Sequence, residues 1–246
     1  MALFQSNNPV LKQSVFDKVA QTSGETMTIR GTVNKMAFLL VMLMAAAIFS
    51  YGEFLKGNST VVPLVFGGAI GGFILALVII FKKEWSPYLT PAYAIAEGLF
   101  LGAISAMFNA KYQGIVIQAV GLTFGTFIAM LVLYRAGVIR ATERFKSIVM
   151  TATLGIGVFY LITLVLRLFH IDIPFINGGG IIGIGFSLVV VCIAALNLIL
   201  DFDMIEQGAA QGAPKYFEWY GSFGLLVTLV WLYLEILRLL SKLNKR

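Results

Sequence analysis
Five stretches of this chain contain no charged side chain at all: Met36 to Gly52, Gly57 to Phe81, Tyr112 to Tyr134, Ser147 to Leu166 and Ile173 to Leu200. Most reach the roughly 20 residues that an α-helix, rising about 1.5 Å per residue, needs to cross a hydrocarbon layer about 30 Å thick. Two further apolar stretches are nearly as long. Pro91 to Asn109 is interrupted only by Glu97, and Ser222 to Leu240 carries Glu235 and Arg238 in its second half. The pattern predicts an all-α membrane protein, a bundle of seven transmembrane helices with spans near 36–52, 61–81, 91–109, 113–134, 148–169, 179–201 and 222–243. Barrel strands would alternate in segments of about ten residues, whereas these blocks are continuous.

Composition agrees. Hydrophobic residues make up 59% and charged residues 12%, where a water-soluble domain is about a quarter charged. The polar tract 1–35 is the only sizeable piece predicted to lie outside the membrane. It lacks the basic start and short apolar core of a cleaved signal peptide, so the first helix is expected to be retained. The net charge of +6 does not point to nucleic acid, because the cations flank spans and form no single stripe. Four precede the first span (Lys12, Lys18, Arg30, Lys35), two follow the second (Lys82, Lys83) and four follow the fourth (Arg135, Arg140, Arg144, Lys146). The opposite loops hold one each, Lys56, Lys111 and Arg167. The positive-inside rule then places the amino terminus in the cytoplasm. Seven spans leave Arg238, Lys242, Lys245 and Arg246 on the far side, against that rule; a six-span arrangement with a re-entrant last segment would remove the conflict.

Glycines at small-xxx-small spacing read as helix-packing seams: Gly67 and Gly71, Gly68 and Gly72, Gly98 and Gly102, Gly121 and Gly125, Gly179 and Gly183. The run from Gly178 to Gly185 has no preceding strand and no lysine, so it does not read as a phosphate loop. Cys192, the single cysteine, excludes disulfides and thiolate metal sites within one chain and is expected to be buried and inert.

A carboxylate near the bilayer centre costs about 2.5–3.5 kcal/mol even on a lenient insertion scale, so it must be protonated, paired or facing water. Glu97, Asp201 and Glu235 meet that condition. Asn197 stands one turn before Asp201 on the same helical face, giving a polar stripe. Asp203 and Glu206 read as part of a solvated loop, and Arg238, three residues after Glu235, is placed to neutralise it. Arg167 and His170 read as interfacial. With one histidine and neither HExxH nor a GxSxG in a strand-to-helix context, no catalytic constellation is found, and the chain is expected not to be an enzyme and to hold no cofactor.

Several longer segments resemble a known family. From SNNPVL and MTIRGTVNKM, through SPYLTPAYAIAEGLFLGAIS, to ALNLILDFDMIEQG and APKYFEWYGSFGLLVTLVWLYLEILRLL, the chain resembles the Bax inhibitor (transmembrane Bax inhibitor motif) family, specifically its bacterial branch. The resemblance implies seven helices around a central last helix, conducting a slow, pH-sensitive calcium leak through a bacterial cytoplasmic membrane. It further implies a carboxylate pair on the sixth and seventh helices. Asp201 of LILDFDMI matches the first acid and Glu235 of WLYLEILRLL the second, the two acting as transient Ca2+ ligands and titrating as a coupled unit. Where some relatives place an arginine latch after the second span, this chain has FKKEW, so Lys82 or Lys83 would serve without a bidentate clamp. Direct pairing requires the sixth helix to run past Asp201. A second implied role is a non-conducting regulator of another membrane protein, such as a membrane protease, contacted through the amino-terminal tail.

Overall fold
The structure, a computed structural model, describes residues 25–57, 61–169 and 180–245. The segment before Glu25, His170, Gly178 and Gly179 lie outside these. Among the described residues are seven helices long and apolar enough to cross a membrane. We number them α1 (Ile29–Leu55), α2 (Val61–Phe81), α3 (Ser86–Lys111), α4 (Ile115–Arg135), α5 (Glu143–Leu168), α6 (Ile181–Ala210) and α7 (Phe217–Leu243), with a 3-10 turn at Lys83–Trp85.

Local chemistry sets the helix ends. Thr28 caps α1 by accepting a hydrogen bond from the Gly31 amide at 2.9 Å, and Thr142 caps α5 through Phe145 at 3.3 Å. Gly212, at φ 66°, lets the chain turn out of α6, and the Ala213 amide then closes back onto the Gly208 carbonyl. Several helices run beyond their charge-free runs. α1 starts at Ile29, so Arg30 and Lys35 are helical, and α6 continues to Ala210, so Asp203 and Glu206 sit on a helix and not in a loop.

The last helix is the centre of the bundle. α7 packs against α1, α3, α4 and α6; α2 lies outside α3, and α5 lies outside α6. Leu226, Leu232 and Leu237 of α7 are fully buried. The helix is unbroken from the end near Thr28 to the start of α6, and thus crosses the whole bundle without a re-entrant turn. The outer faces are apolar: Val41, Phe66, Ile117, Leu161 and Ile181 are all more than 60% exposed, a surface that needs lipid as its solvent.

Two sequence expectations change here. Cys192 is exposed on the outer face of α6, because the apolar run that contains it packs on the bundle along one side only and turns the other toward lipid. The glycine pairs also divide. A side chain at Gly68 would meet the Ala96 carbonyl at 2.6 Å, and side chains at Gly98 and Gly102 would strike the carbonyls of Leu43 and Ala47, so these glycines let α3 touch α1 and α2. Gly67, Gly71, Gly121 and Gly125 face open space and form no seam.

Candidate functional site
Every seventh residue on one face of α7 is small or polar: Gly221, Thr228, Glu235, Lys242. A seven-residue repeat keeps these positions on one side of the helix, with a slow drift, and in the structure that side meets α6, with α5 flanking it. Asp201 lies on this seam. Its Oδ1 would be 3.6 Å from a side chain placed at Gly224, next to Thr228, whose hydroxyl donates to the Gly224 carbonyl at 3.2 Å. Its other oxygen, Oδ2, is buried and takes no hydrogen bond from the described residues. The extension of α6 to Ala210 is what holds this carboxylate inside the bundle.

Glu235 has a separate set of partners. It is 1% exposed. Its Oε1 accepts from the Tyr160 hydroxyl of α5 and from Arg238 Nη1, both at 2.9 Å, and Arg238 also donates to Tyr160 at 2.6 Å and lies over its ring. Seven residues separate Glu235 from Thr228, roughly 10 Å along α7. Among the described residues the two acids share no hydrogen-bond partner, and the α7 backbone that meets Asp201 across the seam is at Gly224. One helical turn beyond Arg238, Lys242 is buried and donates to the Gly183 carbonyl at 3.0 Å and to Ser187 at 2.7 Å.

The remaining predicted residues lie apart from this seam or brace it. Asn197 donates to Thr153 of α5 and to the Ile193 carbonyl, both at 2.8 Å, and so ties α5 to α6 beside Asp201. Glu97 is half-buried between α3 and α2, one turn from Tyr93 and resting on Gly72. Lys82 is exposed at the end of α2, and Lys83 places its ammonium 5.2 Å above the Tyr220 ring. The latch expected from the lysines is thus not formed with either acid, whereas Arg238 does bind Glu235. Among the described residues no three His, Cys, Asp or Glu side chains converge to hold a metal ion.

A second charged cluster was not anticipated from the sequence. Glu218, in the first turn of α7, has a fully buried side chain. It accepts from the Thr28 amide and hydroxyl, both at 2.9 Å, and pairs with Lys35 and with Lys215. The Met27 amide donates to the Ala213 carbonyl at 2.7 Å next to a bridge between Thr26 and Pro214. Lys215, outside the spans, loses some hydration, which lowers its pKa, but Glu218 and Glu25 outweigh that and hold it above the usual lysine range. The only sequence signal for this clasp is Gly31, where a side chain would collide with the Glu218 carboxyl group.

A family model described as Bax inhibitor 1 like matches residues 8–245, which takes in every described helix and both acid clusters. The chain belongs to the Bax inhibitor 1 like family. Comparison with curated proteins finds no match. As a Bax inhibitor 1 like protein, the chain is a multi-pass helical membrane protein in contact with the lipid bilayer, and α7 carries buried charged groups at Glu218, Glu235 and Lys242.

Proposed function
We propose that this protein is a pH-sensitive calcium leak channel, with the α6–α7 seam as its ion path and Asp201 as the acid whose charge state sets it. The observation that carries this reading is the buried, unbonded Oδ2 of Asp201. An oxygen donor inside the bilayer with no protein partner is available to a proton or to a hard cation, and Ca2+ prefers oxygen ligands. Glu235 acts separately: it and Arg238 neutralise each other, and Lys242, bonded only to neutral groups, puts a positive group on the far half of the seam. Cations are repelled there, so this packing corresponds to a closed form. Passage requires the Arg238–Glu235–Tyr160 contact to open.

The resemblance of the sequence to the bacterial branch supports a bacterial cytoplasmic membrane, and the bias of Lys and Arg toward the end that holds Arg30, Lys83, Arg140 and Lys146 supports a cytoplasmic amino terminus. Proteoliposomes loaded with a calcium indicator are the test of conduction. They are expected to admit Ca2+ faster than protein-free vesicles, and equal rates would reject the channel.

A second reading, a non-conducting regulator of another membrane protein such as a protease, is favoured by one feature. The Glu218 clasp fixes residues 26–28 at the mouth of the bundle, and so fixes where the amino-terminal tail leaves it. Deleting residues 1–24 separates the two readings: regulation in cells would be lost with reconstituted Ca2+ flux intact only if the tail docks a partner.

A further inference from the structure
α1 and α4 both lean on α7 yet share no substantial contact with each other. The space between them holds two cavities that meet at Leu40. One, of about 270 Å³, lies beside Leu101, Val116, Phe124 and Leu229. The other, of about 780 Å³, opens at the end of the bundle where α4 gives way to the loop before α5. Its walls are apolar along the helices, with Val33 and Ala37 from α1 facing Phe127 and Leu131 from α4, and its mouth carries Arg135 and Arg140. That volume is within the range of about 300–1,000 Å³ typical of small-ligand sites.

The charges at the mouth are unevenly committed. Asp203 is already bonded by Lys146 at 2.8 Å and by Gln207 at 2.6 Å, and Glu206 accepts from the Tyr134 hydroxyl. Both arginines are exposed. Arg140 reaches only the Gly137 carbonyl, at 3.4 Å, and Arg135 makes no hydrogen bond or ion pair among the described residues. Two available guanidinium groups therefore stand at the polar end of an apolar slot between α1 and α4. Guanidinium binds phosphate through paired, charge-assisted hydrogen bonds, and an apolar slot next to it suits a hydrocarbon chain.

We propose that this cleft binds an anionic phospholipid of the surrounding bilayer, with one acyl chain between α1 and α4 and the headgroup phosphate on Arg135 and Arg140. Charge complementarity selects the anionic headgroup, because a zwitterionic one brings its own cation toward the two arginines. The site is independent of whether the protein conducts ions.

The test is native mass spectrometry of the delipidated full-length protein titrated with phosphatidylglycerol, phosphatidylcholine or glycerol phosphate. Variants are Arg135→Gln with Arg140→Gln, and Ala37→Trp, which fills the cleft from an exposed wall position. Phosphatidylglycerol is expected to bind about tenfold more tightly than phosphatidylcholine. The arginine variant should remove that preference, Ala37→Trp should weaken both lipids, and glycerol phosphate should not bind. Equal affinity for the two lipids in the wild type, phosphatidylglycerol binding unchanged in the arginine variant, or glycerol phosphate binding as well as the lipid would each overturn the proposal. The arginine variant alters surface residues only, so it decides the matter even if Ala37→Trp fails to fold.

Discussion

At the scale of single residues, two buried acids are held by groups from other parts of the chain, and each arrangement makes a distinct prediction. Glu218 gathers Thr28, Lys35 and Lys215 around one carboxyl group, and Gly31 is the residue that leaves room for it. Glu218→Ala removes the acceptor that Thr28, Lys35 and Lys215 share and leaves a void at a fully buried position, so it is expected to lower the thermal midpoint of the solubilised protein clearly. Gly31→Ala should do the same, because the carboxyl group is pinned and cannot retreat. In the double variant the glycine substitution should cost little more, a coupling of about 1–3 kcal/mol; strictly additive losses would mean that the two residues do not act on each other. For Glu235 the dependence is on Arg238. Arg238→Gln leaves a carboxylate 1% exposed with only Tyr160 to bond it. Adding Glu235→Gln to that variant is expected to recover stability, and a further loss would show that the pair is not the source of the effect.

At the scale of the helices, close approach explains why only some glycines matter. Gly98 and Gly102 of α3 are met by the backbone of α1, whereas Gly121 of α4 faces open space. Gly102→Ala is therefore expected to cost about 1–3 kcal/mol by forcing α1 and α3 apart, and Gly121→Ala less than about 0.5 kcal/mol, with thermal midpoints as the readout. The sequence contains both spacings and cannot separate them, since which face meets a neighbour is decided by the arrangement of the whole bundle. The same limit explains the site. Asp201, Glu235 and Glu97 stood out because a charge among apolar residues is costly wherever the helix packs. Their neighbours did not, because Thr228 and Tyr160 are unremarkable residue types until α6 and α5 are laid against α7. The repeat of Gly221, Thr228, Glu235 and Lys242 marks the seam only once α6 is laid against α7; the segment WLYLEILRLL singled out Glu235, and where that side chain finds its partners is decided by how α5 packs. Helix ends were misjudged for a related reason. Arg30, Lys35, Asp203 and Glu206 end a charge-free run without ending the helix, since long polar side chains at the edge of a bundle can pair or reach water while the backbone stays helical.

At the scale of the molecule, charge is distributed along α7 in three levels. The Glu218 clasp closes one end, Asp201 lies inside beside Thr228, and Glu235 with Arg238 and Lys242 occupies the other half. From Glu218 to Glu235 is roughly 25 Å of helix, most of a hydrocarbon thickness. A proton taken up or released by Asp201 changes the charge at the middle level alone, and α7 touches α1, α3, α4 and α6, so a shift in it is felt by most of the bundle. In the proposed mechanism that one acid controls passage. Calcium flux into proteoliposomes across pH, compared for wild type, Asp201→Asn and Glu235→Gln, tests it most directly. A pH-dependent flux is expected in the wild type, a flux nearly independent of pH in Asp201→Asn, and a flux that keeps its pH dependence in Glu235→Gln. The same pH profile in all three proteins would contradict it.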